Sequence, residues 1–253
     1  MKRIVLLLLG IGLMSFCIAQ QTVADYSALG DKAFDAYDNP GSLKEYQLAF
    51  KLDSTNCDVL WKISRAHINI GEVAEKEVQR SNYYDGEKFA RMAVRRCPEN
   101  ADAHQALAIA VGRVALMEGG KKKVELSKEV KAEAEKTLQL DPKKDIAHHV
   151  LARWHREVTH LSGVLKMFAK VLYGGLPPAS DELAVSHFQK ALELNPQYIN
   201  HHLEMGITYE YMEQWDKARE EYKQVAALPI GAFNDKAHKA EAAERLAKIA
   251  NKK

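Results

Sequence analysis

The chain has 253 residues, of which 47% are hydrophobic and 28% charged, with only 14 glycines and 7 prolines. This composition excludes disordered and fibrous proteins and is typical of a helix-rich globular protein. The 36 lysines and arginines face 34 acidic residues, and no acidic or basic tail stands out. The longest run of like charge, at 121–123, is interpreted as a solvated loop, so no nucleic-acid partner is predicted.

Residues 1–19 have the three-part pattern of a secretory signal peptide. A short basic start precedes an apolar run over 4–14, which is too short to cross a bilayer comfortably as a helix. Cys17 and Ala19 place small residues at positions −3 and −1 of a cleavage site before Gln20. We therefore expect an exported protein, periplasmic or secreted. The alternative is a membrane anchor formed by an uncleaved 4–14 segment.

Removal of residues 1–19 makes the mature chain electrically neutral. Lys2 and Arg3 are the charged residues of that segment, so 34 basic residues face 34 acidic ones over 20–253. A chain without net charge exerts no long-range attraction on nucleic acid or on an anionic membrane. Any electrostatic recognition must therefore come from the local placement of charges.

The remainder of the chain repeats one helical pattern. Four helical runs stop in the same way, and three of these stops contain a proline, which cannot continue a helix. The stops lie at 52–54, 96–98, 140–142 and 194–196. Aligning on them predicts units of 34, 44, 44, 54 and 34 residues, and 34 residues is the tetratricopeptide period. The units cover 23–56, 57–100, 101–144, 145–198 and 199–232, followed by a cap over 233–253.

The two end units carry the residue pattern that this repeat requires. Gly30 and Gly206 let the first helix of each pair approach the second, and Tyr46 and Tyr222 occupy aromatic positions. Period-two alternation is absent, so no strands are predicted. The predicted fold class is all-α, a tetratricopeptide-type superhelical stack of antiparallel helix pairs in a single domain. A capping helix is expected over roughly 235–250.

Two cysteines, Cys57 and Cys97, remain after cleavage before Gln20. Cys57 starts the first predicted helix of the second unit, and Cys97 ends its second helix. An antiparallel hairpin brings those two ends together, so a disulfide is geometrically reasonable in an oxidising compartment. Two unpaired buried thiols are the alternative, and the sequence does not decide between the two states.

Four segments of the chain resemble a known family. They are LWKISRA at 60–66, LARW at 151–154, KVLYGGLPP at 170–178 and NDKAHKA at 234–240. Together with the unusual insertion lengths, they resemble the regulator of microtubule dynamics family over nearly the whole mature chain. The chain would be an exported, bacterial-type member of that family.

The resemblance implies an all-helical, non-catalytic repeat domain. In eukaryotic relatives this domain is linked to microtubules and to organelle contact sites, and in one branch to phospholipid binding and transfer. This sequence departs from those relatives at its N-terminal end, where the signal-like segment 1–19 replaces an organelle anchor. A protein exported by a bacterium does not meet microtubules, so the fold carries over more securely than the named function.

The first helix of each pair lines the concave groove of such a stack. The predicted groove residues are Trp61, Arg65, Gln105, Ile109, Arg113, His149, Arg153, Arg156, Leu203 and Ile207. Their four arginines predict a clamp for a peptide carboxylate or a phospholipid headgroup, because guanidinium groups bind such anions bidentately. The alternative is that the arginines pair with neighbouring carboxylates such as Asp58 and Glu157 for purely structural reasons.

The insertion in the fourth unit predicts an unusually apolar helix over 161–173. Its apolar residues are Leu161, Val164, Leu165, Met167, Phe168, Val171, Leu172 and Tyr173. An amphipathic helix has about half this apolar density. The pattern favours burial on most sides within the stack. The alternative is that the helix forms the wall of a pocket for an acyl chain.

No catalytic, cofactor or metal motif stands out. The ten histidines include no i, i+4 pair of the kind that binds zinc on a helix, so no metal site is predicted. Nucleophile motifs and phosphate-binding glycine loops are also missing, which argues against an enzyme. The leading hypothesis is an interaction scaffold whose groove binds a peptide segment of a protein partner. The alternative is a protein that binds or carries an anionic phospholipid, with Arg65, Arg113 and Arg153 holding the headgroup.

Overall fold

The computed structural model describes residues 21–253, so the predicted signal peptide and its cleavage site before Gln20 lie outside the described residues. The described part is all-helical and contains no strand. The prediction of an all-α stack is confirmed. The helices are α1 (Val23–Asp35), α2 (Asn39–Leu52), α3 (Cys57–Glu72), α4 (Lys76–Arg96), α5 (Ala101–Glu118), α6 (Gly120–Leu140), α7 (Asp145–Thr159), α8 (Gly163–Tyr173), α9 (Asp181–Leu194), α10 (Ile199–Tyr211), α11 (Trp215–Ala227) and α12 (Asp235–Ile249).

The helices pack as successive antiparallel pairs. The pairs are α1–α2, α3–α4, α5–α6, α7–α9 and α10–α11, and α12 packs on the last of them. Helix α8 lies between α7 and α9 in sequence and packs on α6 instead. No helix of the described residues is long and apolar enough to cross a membrane.

The second helix of each of the first four pairs ends in the same backbone conformation. The C-cap residues have φ between −134° and −144° and form a backbone N–H bond to the carbonyl four residues earlier. They are Asp53, Cys97, Asp141 and Asn195. The chain then starts α3 and α5 with an asparagine N-cap, since the side chains of Asn56 and Asn100 accept hydrogen bonds from backbone N–H groups of the first turn.

In three of the helix pairs, a glycine on the first helix lies directly under a tyrosine ring of the second helix, so the two helices pack closely. A Cβ built on any of these glycines would come within 2.6 Å of the tyrosine ring, so no larger residue fits without a shift. The pairs are Gly30 with Tyr46, Gly71 with Tyr83, and Gly206 with Tyr222. In α5 the corresponding space is open, because a Cβ on Gly112 would meet only Val130 at 3.9 Å.

A disulfide joins the start of α3 to the end of α4. The Cα atoms of Cys57 and Cys97 lie 6.2 Å apart, across a loop of 40 residues. On the chain-entropy model, closing a loop of this length stabilises the folded chain by about 4 kcal/mol. This crosslink ties the second helix pair at the end where the chain enters the third.

The run of lysines at 121–123 lies in the first turn of α6 and not in a loop. Glycine precedes it, since Gly119 and Gly120 both have positive φ and form the tight connection from α5. The lysines therefore stand on a helix that packs against α8, where their charges matter for the surface described below.

Candidate functional site

A cavity of about 490 Å³ lies on the concave side of the stack. Helices α3, α5 and α7 supply most of its walls, Phe34 at the end of α1 closes one side, and the 231–234 segment before α12 closes another. The volume falls in the range of about 300–1,000 Å³ that small-molecule sites occupy. The groove is therefore a partly closed pocket, because a turn distant in sequence folds over it.

Six of the predicted groove residues line this cavity. They are Arg65, Gln105, Ile109, Arg113, His149 and Arg153. Each belongs to the first helix of a pair, as the register of the repeat implies. The structure thus brings three of the four predicted arginines to one cavity.

The other four predicted groove residues lie elsewhere. Leu203 and Ile207 are buried in a core that α10 shares with α9, α11 and α12. Arg156 is buried with 4% of its surface exposed and bonds the backbone and side chain of Glu204. Trp61 donates its indole N–H to Asp58 at 3.2 Å, on the flank of α3.

Two glutamates neutralise most of the arginine charge. Arg113 forms an ion pair with Glu72, and Arg153 lies 3.3 Å from Glu204, which also pairs with Arg156. Burial alone would raise the pKa of Glu204, but the charges of Arg153 and Arg156 outweigh it and hold this pKa well below its usual value. The structural pairing expected for these arginines therefore occurs with Glu72 and Glu204 as its main partners. Of the two carboxylates named for it, Asp58 accepts from Trp61, and Glu157 lies 3.8 Å from Arg156.

Arg65 is the exception among the cavity arginines. Its guanidinium lies 3.6 Å from the centre of the Phe34 ring and 4.9 Å from that of Trp61, and it donates to the Tyr46 hydroxyl at 3.3 Å. Among the described residues no carboxylate comes within the 4.0 Å of an ion pair with it. Its Nε atom is buried without a hydrogen-bond partner. The Tyr46 hydroxyl in turn donates to Asp31, which pairs with Lys62, so Arg65 reaches this carboxylate only through the tyrosine. The Arg65 guanidinium therefore remains open to direct contact with an anionic ligand.

A chain of polar groups runs from His149 through the buried His201 to Asp145, and both His149 and Asp145 line the cavity. The Nδ1 atoms of His149 and His201 are 3.0 Å apart, and His201 Nε2 lies 3.1 Å from Asp145. Burial lowers the pKa of both histidines, most strongly that of His149. Burial would raise the pKa of Asp145, but hydrogen bonds from His201 and Asn195 lower it. The histidines are therefore neutral near pH 7, and the carboxylate is charged.

The rest of the cavity wall is largely apolar. It includes Ile68, Ile109, Val130, Val150, Val158 and Leu161. An apolar pocket with one guanidinium that no carboxylate contacts directly suits a ligand that joins a single anionic group to an apolar body. Sequence reasoning missed Phe34, Glu72, Lys123 and Phe233, which also line the cavity. Glu72 lies seven residues after Arg65 on the same face of α3, so the repeat register could have found it. No repeat signal marks Phe34, Lys123 and Phe233, because they reach the cavity through tertiary packing.

Helix α8 differs from both sequence-based interpretations. Within α8 only Ala169 is fully buried, whereas Val164, Met167 and Val171 expose more than 60% of their surface. Leu161, just before the helix, lines the cavity, but α8 itself does not. The expected burial is wrong because the long connection carries α8 outside the α7–α9 pair, onto one side of α6.

No group of three or more His, Cys, Asp or Glu side chains within residues 21–253 is arranged to hold a metal ion. His148, His155 and His187 do come together between α7 and α9, with 3.1 Å between the Nδ1 atoms of His148 and His187. Burial, together with the smaller effect of its two histidine neighbours, lowers the pKa of His187 to about 4. This cluster is a packed set of neutral rings.

The fold defines a tetratricopeptide-type repeat protein, and solved structures agree. A thermophilic tetratricopeptide protein of Thermus thermophilus superposes with a TM-score of 0.65 at 12% identity, covering 90% of this chain and 99% of that one. Residues 41 to the end of the MamA protein of Desulfovibrio magneticus superpose with a TM-score of 0.51 at 13% identity, covering 81% and 94%. At identities of 12% and 13%, these superpositions show a shared fold alone.

The chain belongs to the regulator of microtubule dynamics protein 1-3 family, whose model matches residues 27–250. It is 32% identical to regulator of microtubule dynamics protein 3 of Bos taurus over 142 residues, which cover 56% of this chain and 30% of that protein. It is 26% identical to protein 1 of Bos taurus over 85% of this chain and 69% of that one. Protein 1 of Caenorhabditis elegans is 25% identical, with 82% and 92% covered. The chain thus spans about a third of the protein 3 relatives and most of the protein 1 relatives.

Proposed function

We propose that this protein is a non-catalytic binding protein whose central cavity holds an anionic lipid, with the headgroup at Arg65 and an acyl chain along the apolar wall. The observation that carries the proposal is that Arg65, unlike Arg113 and Arg153, forms no direct ion pair among the described residues and lies beside a largely apolar cavity of about 490 Å³. Partial closure of the groove by Phe34 and the 231–234 segment supports a small ligand rather than a long open peptide track. The names of the relatives and the repeat fold do not identify the ligand.

Native mass spectrometry of protein purified without detergent tests this proposal. A fraction of wild-type molecules should carry an added mass that dissociates as a phospholipid or fatty acid. Replacing Arg65 with glutamate should abolish the adduct, because it reverses the charge that holds the headgroup. The matched control is R95E, since Arg95 is exposed at the end of α4. A wild-type chain that stays free of lipid after incubation with anionic vesicles would refute the lipid proposal.

A second candidate is a scaffold that binds an extended segment of a protein partner. The observation that favours it is Gln105, whose side-chain oxygen is buried at the cavity without a hydrogen-bond donor. The backbone N–H of an extended peptide would satisfy this acceptor. In the same spectra, a bound peptide would fragment into a residue-by-residue series instead of a headgroup and fatty acids. Q105L should then weaken peptide binding, whereas lipid binding at Arg65 should persist.

We also propose that residues 1–19 direct export and are removed before Gln20. The disulfide between Cys57 and Cys97 supports this, because disulfides persist in oxidising compartments. Fractionation of the producing cell, followed by an intact mass of the protein, tests the proposal. The mass should correspond to residues 20–253 less two hydrogens. A chain retained in the cytoplasm with its first 19 residues intact and both thiols free would contradict it.

A further inference from the structure

Helix α8 presents an apolar stripe to solvent. Val164 is 73% exposed, Met167 63%, Val171 75% and Leu172 58%. The first three recur at the three- and four-residue spacing that places side chains on one face of a helix. Elsewhere in the described residues, apolar side chains of this size are mostly buried in the clusters between helix pairs. A contiguous exposed stripe of this kind marks an interaction surface.

The helix itself is well fixed to the body of the protein. On its inner side, Leu165 and Phe168 pack against a small core around Val124, and Ala169 is buried. Ser162 caps its start by accepting from the backbone N–H of Leu165, and Gly174 ends it with a left-handed φ of 69°. The outer stripe is therefore held in place by the fold and does not result from a loosely packed segment.

The surroundings of the stripe are positively charged. Residues 158–180 contain no aspartate or glutamate, and α8 carries Lys166 and Lys170. Two exposed lysines of α6 adjoin α8: the Nζ of Lys121 lies 5.0 Å from the centre of the Phe168 ring, and Lys128 donates to the carbonyl of Tyr173 at 2.7 Å. These four lysines form no ion pair with a described residue, since nearby acidic groups are already taken, as Glu125 is by Lys122.

We propose that the outer face of α8 docks on the surface of an anionic lipid bilayer. Val164, Met167, Val171 and Leu172 would enter the boundary between headgroups and acyl chains, while Lys121, Lys128, Lys166 and Lys170 contact lipid phosphates and carboxylates. Apolar residues on one side with lysines beside them are the composition of helices that lie in the membrane interface. The inference goes beyond the proposed cavity ligand and stands or falls separately from it.

A second copy of this chain fits the stripe less well. Pairing two α8 faces about a twofold axis would bring their lysines together, and like charges repel. The four exposed side chains also cover on the order of 400 Å², about half of what each partner contributes to a stable dimer. A negatively charged lipid surface meets both the charge and the extent of the stripe.

Sedimentation with lipid vesicles tests the docking surface. The full chain should sediment with phosphatidylcholine vesicles that contain phosphatidylserine, and much less with phosphatidylcholine alone. V164D/V171D should weaken this partition at least about tenfold, because charged residues do not enter the interface. K166E/K170E should remove the preference for phosphatidylserine and the dependence on salt. The matched control is V73D/V78D, at two valines of the α3–α4 region that are 70% and 52% exposed.

The same experiment is repeated with chains that begin at Gln20, since the apolar 4–14 segment would bind vesicles by itself. Circular dichroism and thermal unfolding establish that each variant is folded. The proposal is overturned if the chain from Gln20 stays in the supernatant with phosphatidylserine vesicles, or if V164D/V171D sediments like V73D/V78D. A wild-type dimer that V164D/V171D dissociates in analytical ultracentrifugation would also overturn it and assign the stripe to a second copy. Loss of the cavity lipid in R65E leaves α8 unchanged, so the two proposals fail independently.

Discussion

Helix α10 uses two different kinds of interface on its two sides. Towards α11 it packs closely, because Gly206 leaves room for the ring of Tyr222. Towards α7 it stands farther off, and long polar side chains span the gap: Glu204 with the two arginines of α7, and His201 with His149. One side is held by shape and the other by paired charges and hydrogen bonds.

The difference explains where the cavity lies. In the three pairs with a glycine–tyrosine contact, the buried ring fills the space between the two helices. Between first helices of successive pairs, long polar side chains span the gap, as Glu72 does to Arg113 and Glu204 to Arg153, and the cavity lies beside these arginines. The polar interface costs desolvation, so its stability depends on complete pairing. The predictions below test each side of α10 in turn.

The largest effect should come from removing the carboxylate of Glu204. E204A leaves the buried guanidinium groups of Arg153 and Arg156 without their counterion, which should lower the free energy of unfolding by about 3–5 kcal/mol. Urea unfolding measures the change. E193A is the control, since Glu193 is 64% exposed in its surface pair with Lys190 and should cost less than about 0.5 kcal/mol. Equal effects of the two substitutions would show that the polar side of α10 is not held by charge pairing.

On the close-packed side, G206A should lower the free energy of unfolding by about 1–3 kcal/mol. The added Cβ would come 2.5 Å from the Tyr222 ring, and this overpacking exceeds the gain in helix propensity. The comparison is G112A, where the nearest atom lies at 3.9 Å. There the substitution should stabilise the chain by about 0.5–1 kcal/mol, because alanine favours the helix. Thermal unfolding of both variants checks the opposite signs, and the same sign for both would contradict the packing argument.

Acid should weaken the α7 side of α10 and spare the α11 side. Burial lowers the pKa of His149 and His201, so the unfolded chain binds more protons than the folded one once the pH falls below about 6.5. Stability is then greatest above that pH and declines as the pH falls towards the folded-state pKa values. Each histidine should lower the free energy of unfolding by up to about 1.4 kcal/mol for each pH unit of acidification. Urea unfolding at pH 7, 6 and 5 should show this decline.

The matched variant for the acid effect is H149Q, which removes one titrating ring. It should reduce the slope of the unfolding free energy against pH by the equivalent of about one bound proton. An unchanged slope in H149Q would assign the acid sensitivity to other groups. The cluster of His148, His155 and His187 contributes a decline in the same direction, since burial also lowers the pKa of these three rings.

The smallest effect should come from the hydroxyl group of Tyr222. Y222F keeps the ring over Gly206 but loses the hydrogen bond to the Glu210 carboxylate. The free energy of unfolding should fall by about 1.5 kcal/mol, because Glu210 still pairs with Arg245. Y209F is the comparison, because the buried Tyr209 donates no hydrogen bond to a described side chain and should lose almost nothing. A loss of several kcal/mol in Y222F would mean that the close-packed side also depends on polar pairing.

Much of the fold was predictable because its signals are local. Helices α3, α5, α7 and α10 begin at Cys57, Ala101, Asp145 and Ile199, where the predicted units begin. Helix stops, N-caps and the glycine–tyrosine spacing act within one hairpin, so they can be read along the chain. The candidate site was only partly predictable. Arg65 and Arg153 follow from the repeat register, whereas Phe34 and the 231–234 segment reach the cavity from distant parts of the chain.

The sequence by itself determined the repeat class, the family and the helix pairs, since each depends on the periodicity of residues near one another. Tertiary structure alone decided which arginines contact a carboxylate directly. Arg65 meets aromatic rings, whereas Arg113 and Arg153 meet Glu72 and Glu204, which lie on other helices. Tertiary structure also decided that α8 is exposed on its outer face, although its apolar sequence is compatible with a buried helix. Exposure depends on how many elements surround a helix, and that number is set by the packing of the whole stack.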